Sequence, residues 1–148
     1  IKSGGIKAVL EYYQKLGEDF YNELLDMFVY DAIILNTDRH LGNFGFLIDN
    51  HTNKIVKPAP IFDNGLSLFC YAMEDDLKNI NLYEKTLVPA LYNDFIEFSK
   101  KIITDRQKEK LRKLIGFKFT KNTRYNLPQE RIKIIEKQIQ LRLETLLV

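Results

Sequence analysis

Cysteine is almost missing from this 148-residue chain. With Cys70 alone, no intrachain disulfide can form, and that usage suits a reducing, cytoplasmic compartment. Cys70 itself reads as a small buried hydrophobe. Long apolar runs are missing too. A stretch such as Ala32 to Leu35 is far too short to cross a bilayer, so no membrane span is expected, and no secretory signal pattern opens the chain. Neither sign of charge dominates: 22 basic and 20 acidic residues leave a formal net charge of +2. Such a balance gives no strong field to argue for nucleic acid or an anionic membrane as partner. No repeat, low-complexity tract or Gly/Ser-rich linker divides the sequence, so residues 1–148 are expected to form one domain. Because it starts at Ile1 rather than Met, the chain is expected to be a piece of a longer protein. What it does have is 45% hydrophobic residues, enough for a sizeable core.

The apolar spacing is mostly helical. After a flexible lead-in at Ser3-Gly4-Gly5, Ile6 to Leu16 reads as a short helix stopped by Gly17. From Glu18 to about Leu35, the positions Phe20, Leu24, Met27, Phe28, Asp31, Ile34 and Leu35 recur at steps of three and four, predicting a long amphipathic helix. Phe44 to Ile48 and Lys54 to Ile61 are rich in aromatic and β-branched residues and flank the turn-forming stretch from Asp49 to Asn53, predicting a β-hairpin. Pro58 and Pro60 cannot donate ladder hydrogen bonds, so its second strand should be an edge or turn irregular there. Gly65 then permits a backbone turn. A polar loop is expected over Glu74 to Asn81, followed by a helix from Tyr83 to Ile103 kinked or split at Pro89. A further helix runs from Asp105 to Ile115 and closes at Gly116. The last opens at Leu127-Pro128 and carries an apolar stripe of Ile132, Ile135, Ile139, Leu143 and Leu146. The expected fold class is mainly α with one small β-hairpin.

The stretch Asn36-Thr37-Asp38-Arg39-His40-Leu41-Gly42-Asn43-Phe44, taken with Ile61-Phe62-Asp63-Asn64-Gly65, carries the chemistry. An Asp followed five residues later by an Asn can present a proton acceptor and a Mg²⁺ ligand from one tight loop, and a second Asp beyond a hairpin can complete a metal site. Kinase-type catalysis needs that arrangement, since its transition state calls for positioning and charge neutralisation more than covalent help. Asp38 would accept or orient the proton of an attacking hydroxyl. Asn43 offers a neutral carbonyl oxygen to Mg²⁺, and Asp63 an anionic one. Arg39 and His40 would steady the transferring phosphate or brace the loop, and His40 reads equally well as a hydrogen-bonded core histidine.

Taken one at a time, these residues also fit structural roles. Asp38 can cap a turn, Asn43 can fill a turn position, and Asp63-Asn64-Gly65 is a common turn signal. Their joint occurrence around a hydrophobic hairpin is what favours a catalytic-type loop. The basic run Lys108, Lys110, Arg112 and Lys113 reads as a solvated helix face rather than a nucleic-acid patch. Tyr12, Tyr13, Phe20, Tyr21, Phe28 and Tyr30 fall on expected helices, where packing explains them better than base stacking. His51 lies in the expected hairpin turn and should be exposed.

The loop Asp38-x-His40-x-x-Asn43-Phe44, the stretch Ala59-Pro60-Ile61-Phe62-Asp63, and Ser3-Gly4-Gly5 ahead of the helical entry resemble the C-terminal lobe of HipA-like serine/threonine kinases. The resemblance covers about half the chain; after Tyr71 only helicity is shared. It implies a protein-kinase-like C-lobe with Asp38 as the catalytic aspartate and Asn43 and Asp63 as the residues that hold Mg²⁺. ATP would be the donor, a protein Ser/Thr hydroxyl the acceptor, and a toxin–antitoxin setting the family background. The β-rich N-terminal lobe, with its glycine-rich loop and ATP-pairing Lys, has no counterpart here, so the chain looks like an isolated C-lobe, inactive by itself, whose missing partner is that lobe. The family's repressor partner and DNA association are not carried over, because no helix-turn-helix signature is found. A DRHxxN loop also occurs in phosphoinositide kinases, which leaves a lipid or small-molecule phosphotransferase as one alternative and a non-catalytic pseudokinase or binding module as another.

Overall fold

The computed structural model describes residues 5–148, mostly helical with one small antiparallel sheet. Ser3 and Gly4 of the expected lead-in lie outside the described residues, and Gly5 already opens α1 (Gly5–Leu16). α1 stops where Gly17 takes φ 132, a value that strains a side chain but not glycine. α2 (Glu18–Ile34) follows at once with Glu18 and Asp19 in its first turn, where carboxylates complement the positive end of the helix dipole.

The expectation of an amphipathic α2 holds only for its first half. From Leu24 onward most residues are buried, Asp31 and Ala32 completely. The reason is position: α2 is the central helix, packed against α1, the hairpin and the last three helices. On one side Leu24, Met27 and Phe28 meet Val9 and Tyr13 of α1. On the other, Val29, Ala32 and Ile33 meet Ile135, Ile139, Leu143 and Leu146 together with Phe69, Phe95 and Leu111. Each large side chain so buried contributes on the order of 1.5–3 kcal/mol relative to exposure.

The hairpin forms between β1 (Phe46–Ile48) and β2 (Ile55–Pro58), shorter at both outer ends than the expected strands. Phe46 lies opposite Pro58 and Leu47 opposite Lys57, with an irregularity between Leu47 and Ile48. Pro58 ends the second strand because it has no N–H to give. In the turn, the Asp49 carboxylate accepts the His51 and Thr52 N–H groups at 2.9 and 2.8 Å. Aromatic rings seat the hairpin on the helices: Phe46 lies 5.6 Å from Tyr13 and Phe44 lies 5.8 Å from Phe28, centroid to centroid.

The C-terminal half departs further from expectation. The stretch read as a polar loop holds two short helices, α3 (Glu74–Lys78) and α4 (Ile80–Glu84). The helix read from Tyr83 to Ile103 reduces to the end of α4 and α5 (Phe95–Ile102), because ten residues around a buried Pro89, 85–94, leave the helical path. Asp94 restarts it by accepting the Glu97 N–H at 2.7 Å, the usual N-cap contact. α6 (Asp105–Arg112) is capped by Thr104 and Gln107, and tight turns carry the chain on to Gly116 at φ 77. α7 (Gln129–Leu147) begins just after Pro128 and buries Ile135, Ile139, Leu143 and Leu146, with Ile132 half-buried.

Candidate functional site

α2 ends abruptly. Leu35 takes the left-handed conformation, φ 53 and ψ 56, at a cost of roughly 1–2 kcal/mol for a residue with a side chain, which its buried position offsets. Asn36, also fully buried, then organises the loop. Its Oδ1 accepts the Asp38 N–H at 3.0 Å and its Nδ2 donates to the Asp63 carbonyl at 3.1 Å. One amide side chain thus shapes the turn and ties it to the segment beyond the hairpin. The two segments are laced further, the Thr37 N–H donating to the Leu66 carbonyl at 3.1 Å and the Leu68 N–H to the Ile34 carbonyl at 2.8 Å.

Asp38 and Asn43 touch. Asn43 Nδ2 donates to the Asp38 carbonyl at 2.7 Å and reaches Asp38 Oδ2 at 3.4 Å. With its nitrogen spent on Asp38, the amide turns its Oδ1 the other way. Asp63 joins them through its backbone, by the Asn36 bond, and its exposed side chain sits on a residue held at φ 52. A carboxylate and an amide oxygen are hard donors of the kind Mg²⁺ accepts alongside phosphate oxygens and water. They differ from an all-protein cage, and no group of three His, Cys, Asp or Glu side chains is placed to hold a metal among the described residues. Their donor chemistry is of the kind Mg²⁺ takes when it shares the oxygens of a nucleotide.

Arg39 does not point at this edge. It is 2% exposed and forms a two-pronged pair with Asp31 of α2, Nε to Oδ2 at 2.9 Å and Nη2 to Oδ1 at 3.0 Å. Nη1 donates to the Asn43 carbonyl at 2.9 Å and to the Phe62 carbonyl, and Nη2 also donates to Asn64 Oδ1. Of the two roles the sequence leaves open for Arg39, the structure fills the bracing one. Burial pushes the Asp31 carboxyl up from its ordinary value, while Arg39, by hydrogen bond and charge, and Asn36 pull it down. Nearby, burial raises the Tyr92 hydroxyl strongly, with the Asp31 charge adding to it and Arg39 opposing.

His40 is exposed, which corrects its reading as a core histidine. Its Nδ1 accepts the Gly42 N–H at 3.0 Å, so it braces the turn from the solvent side. Cys70 is likewise exposed rather than buried. The residues whose part sequence reasoning missed are Asp31, Asn36 and Asn64. Asp31 had a signal, since an acidic residue on the apolar stripe of a helix needs a buried partner. Asn36 had one as well: an Asn two residues before Asp38 is placed for an Asx turn.

A cleft of about 1160 Å³ lies elsewhere, between residues 67–78 and 119–135. Its lining, including Leu68, Met73, Leu77, Leu127 and Ile135, contains none of Asp38, Asn43 and Asp63. The cleft is mostly apolar, whereas the clustered oxygen donors and the proton acceptor that the sequence singles out lie on the Asp38 loop, which is the candidate site.

Over 86 residues the chain is 35% identical to the serine/threonine-protein kinase CtkA of Helicobacter pylori. That likeness supports a kinase-like relationship. The matched stretch makes up 58% of this chain and 25% of CtkA, so the chain spans about a quarter of that relative's length. No family model matches, and no solved structure matches.

Proposed function

We propose that the chain carries the catalytic-loop half of a HipA-type serine/threonine kinase, folded like the C-terminal lobe of a protein kinase. In this reading the donor is ATP and the acceptor a Ser or Thr hydroxyl of a protein. Asp38 takes or orients the hydroxyl proton, while the Asn43 Oδ1 and the Asp63 carboxylate hold Mg²⁺. That ion, when bound, neutralises charge on the nucleotide phosphates. Arg39 and Asn36 act from beneath, keeping the loop and the Asp63 segment together, and His40 keeps the turn at Gly42 in shape. A covering lobe, supplied by other residues of the parent protein, completes the nucleotide site, and without it the chain is inactive. The observation that supports this reading best is the Asp38–Asn43 contact on a loop laced to the Asp63 backbone by Asn36.

Asp38→Asn in the full-length protein tests it, since the change removes a base while adding no bulk. Phosphoryl transfer from radiolabelled ATP to protein should fall about 10²–10⁴-fold, with the fold, read by circular dichroism, unchanged. Equal turnover by both proteins overturns the reading.

A further inference from the structure

Asp31 is 0% exposed, and withdrawing a carboxylate from water so completely costs several kcal/mol before any partner is counted. A well-packed apolar residue on α2 would stabilise the core as well or better. What Asp31 does for Arg39 that an apolar residue cannot is fix the plane of its guanidinium, by two parallel bonds at 2.9 and 3.0 Å. A guanidinium is a rigid fork, so holding two of its nitrogens sets the direction of the remaining N–H groups. Those reach the Phe62 carbonyl and Asn64 Oδ1, on either side of Asp63, and the carbonyl of Asn43. One guanidinium therefore grips both flanks of one candidate metal ligand and the backbone of the other. Asp63, at φ 52, occupies a conformation that persists in a non-glycine residue only when its surroundings over-determine it.

We propose that Asp31 is the positioning residue of the Asn43–Asp63 pair and sets, through Arg39, the affinity of that pair for a divalent cation. The inference rests on the metal-binding reading of Asn43 and Asp63. Asp31 touches neither the cation nor a substrate. Its effect passes through the fork to the carbonyl of Phe62 and the side chain of Asn64, and loosening the fork frees the Asp63 backbone from its φ 52 conformation.

The test uses Mn²⁺ alone as a paramagnetic stand-in for Mg²⁺, titrated into the full chain while the amide NMR signals of Asn43 and Asp63 are followed. Both signals should broaden in the wild type. In Asp31→Asn the Mn²⁺ affinity should fall about 10–100-fold, the range found for partners that orient metal ligands, while the chain still unfolds cooperatively. Arg39→Lys keeps the charge but loses the fork and should fall similarly. Asn64→Ala trims only the exposed end of the relay and should lose less. Combined with Asp31→Asn it should lose less than the sum of the two, because both act on one path. If Asp31→Asn does not fold, Arg39→Lys and Asn64→Ala decide the matter by the same readout. Wild-type affinity in folded Asp31→Asn, or in both of the other variants, overturns the positioning role and leaves the metal site standing. A wild type without broadening at Asn43 and Asp63 overturns the metal reading and this inference with it.

Discussion

A Cβ added at Gly42 would lie 2.9 Å from His40 Cε1 and 3.1 Å from its Nδ1, so the loop is fitted to within a methyl group on its solvent side. The neighbour that must yield is the end of an exposed ring rather than backbone, which makes the clash cheap to relieve. What is lost is the hydrogen bond from the Gly42 N–H to His40 Nδ1, an exposed contact of about 1 kcal/mol or less. Gly42→Ala is therefore expected to move the thermal midpoint little while freeing the His40 ring, seen as altered His40 side-chain NMR shifts. A loss well beyond about 2 kcal/mol would mean that the ring is held by more than this bond. His40 and Arg39, adjacent in sequence, end up on opposite sides of the loop, one wet and one buried. Residue type could not separate them, because both are polar and both offer N–H donors. Asp31 could: a carboxylate on an apolar stripe names its own need for a cation, and the nearest candidate in the loop was Arg39.

Among the elements, those whose ends carry punctuation were legible. Gly17 separates α1 from α2, the Asp49 turn makes the hairpin, Pro128 opens α7, and each boundary follows from a backbone preference of the residue itself. The region around Pro89 was not, because a proline shows that a helix cannot continue but not how many residues the chain takes to resume it. The arm between α6 and α7 carried no periodicity at all, and its placement depends on a distant contact. Glu136 of α7 accepts the Phe119 N–H at 3.0 Å and pairs with Lys118 at 2.9 Å. The hydrogen bond from Lys118 is the main cause that holds the Glu136 carboxyl below its ordinary value, burial opposing and the Phe119 N–H assisting. For a depressed carboxyl the unfolded chain binds the proton more readily, so the contribution is complete above the unfolded value, near 4.3, and is lost as pH falls through the folded one. Lys118 is largely exposed, so the effect is screened and local. Hydrogen exchange at Phe119 should accelerate, relative to intrinsic rates, on acidification below about pH 4, and Glu136→Gln should show the weakened protection already at neutral pH. Protection at Phe119 that is independent of pH between 3 and 6 would detach the arm from Glu136.

At the scale of the whole molecule, the candidate site lies at an edge. His40, Leu41 and Gly42 are exposed on one segment and Phe62, Asp63, Asn64 and Gly65 on the other, above a fully buried base of Asp31, Arg39 and Asn36. Rigidity below and water above is a sound geometry for presenting ligands and a poor one for holding a polyphosphate alone. On the open side, charge interactions run through a dielectric near that of water and lose several-fold of their strength, while the cost of orienting the nucleotide stays the same. The 148-residue chain by itself is thus expected to bind Mg·ATP with a Kd of about 1 mM or weaker, roughly −4 kcal/mol. A parent protein carrying a covering lobe should bind it much more tightly. Whatever binding the chain retains should need Mg²⁺ and should vanish in Asp63→Ala, which removes the anionic ligand and leaves only the neutral Asn43 oxygen. Calorimetric titration with and without Mg²⁺, on both proteins and the variant, separates the possibilities. Micromolar binding by the chain alone, unchanged in Asp63→Ala, would place the nucleotide somewhere other than the Asp38 loop, and the apolar cleft beside α7 would be the first place to look.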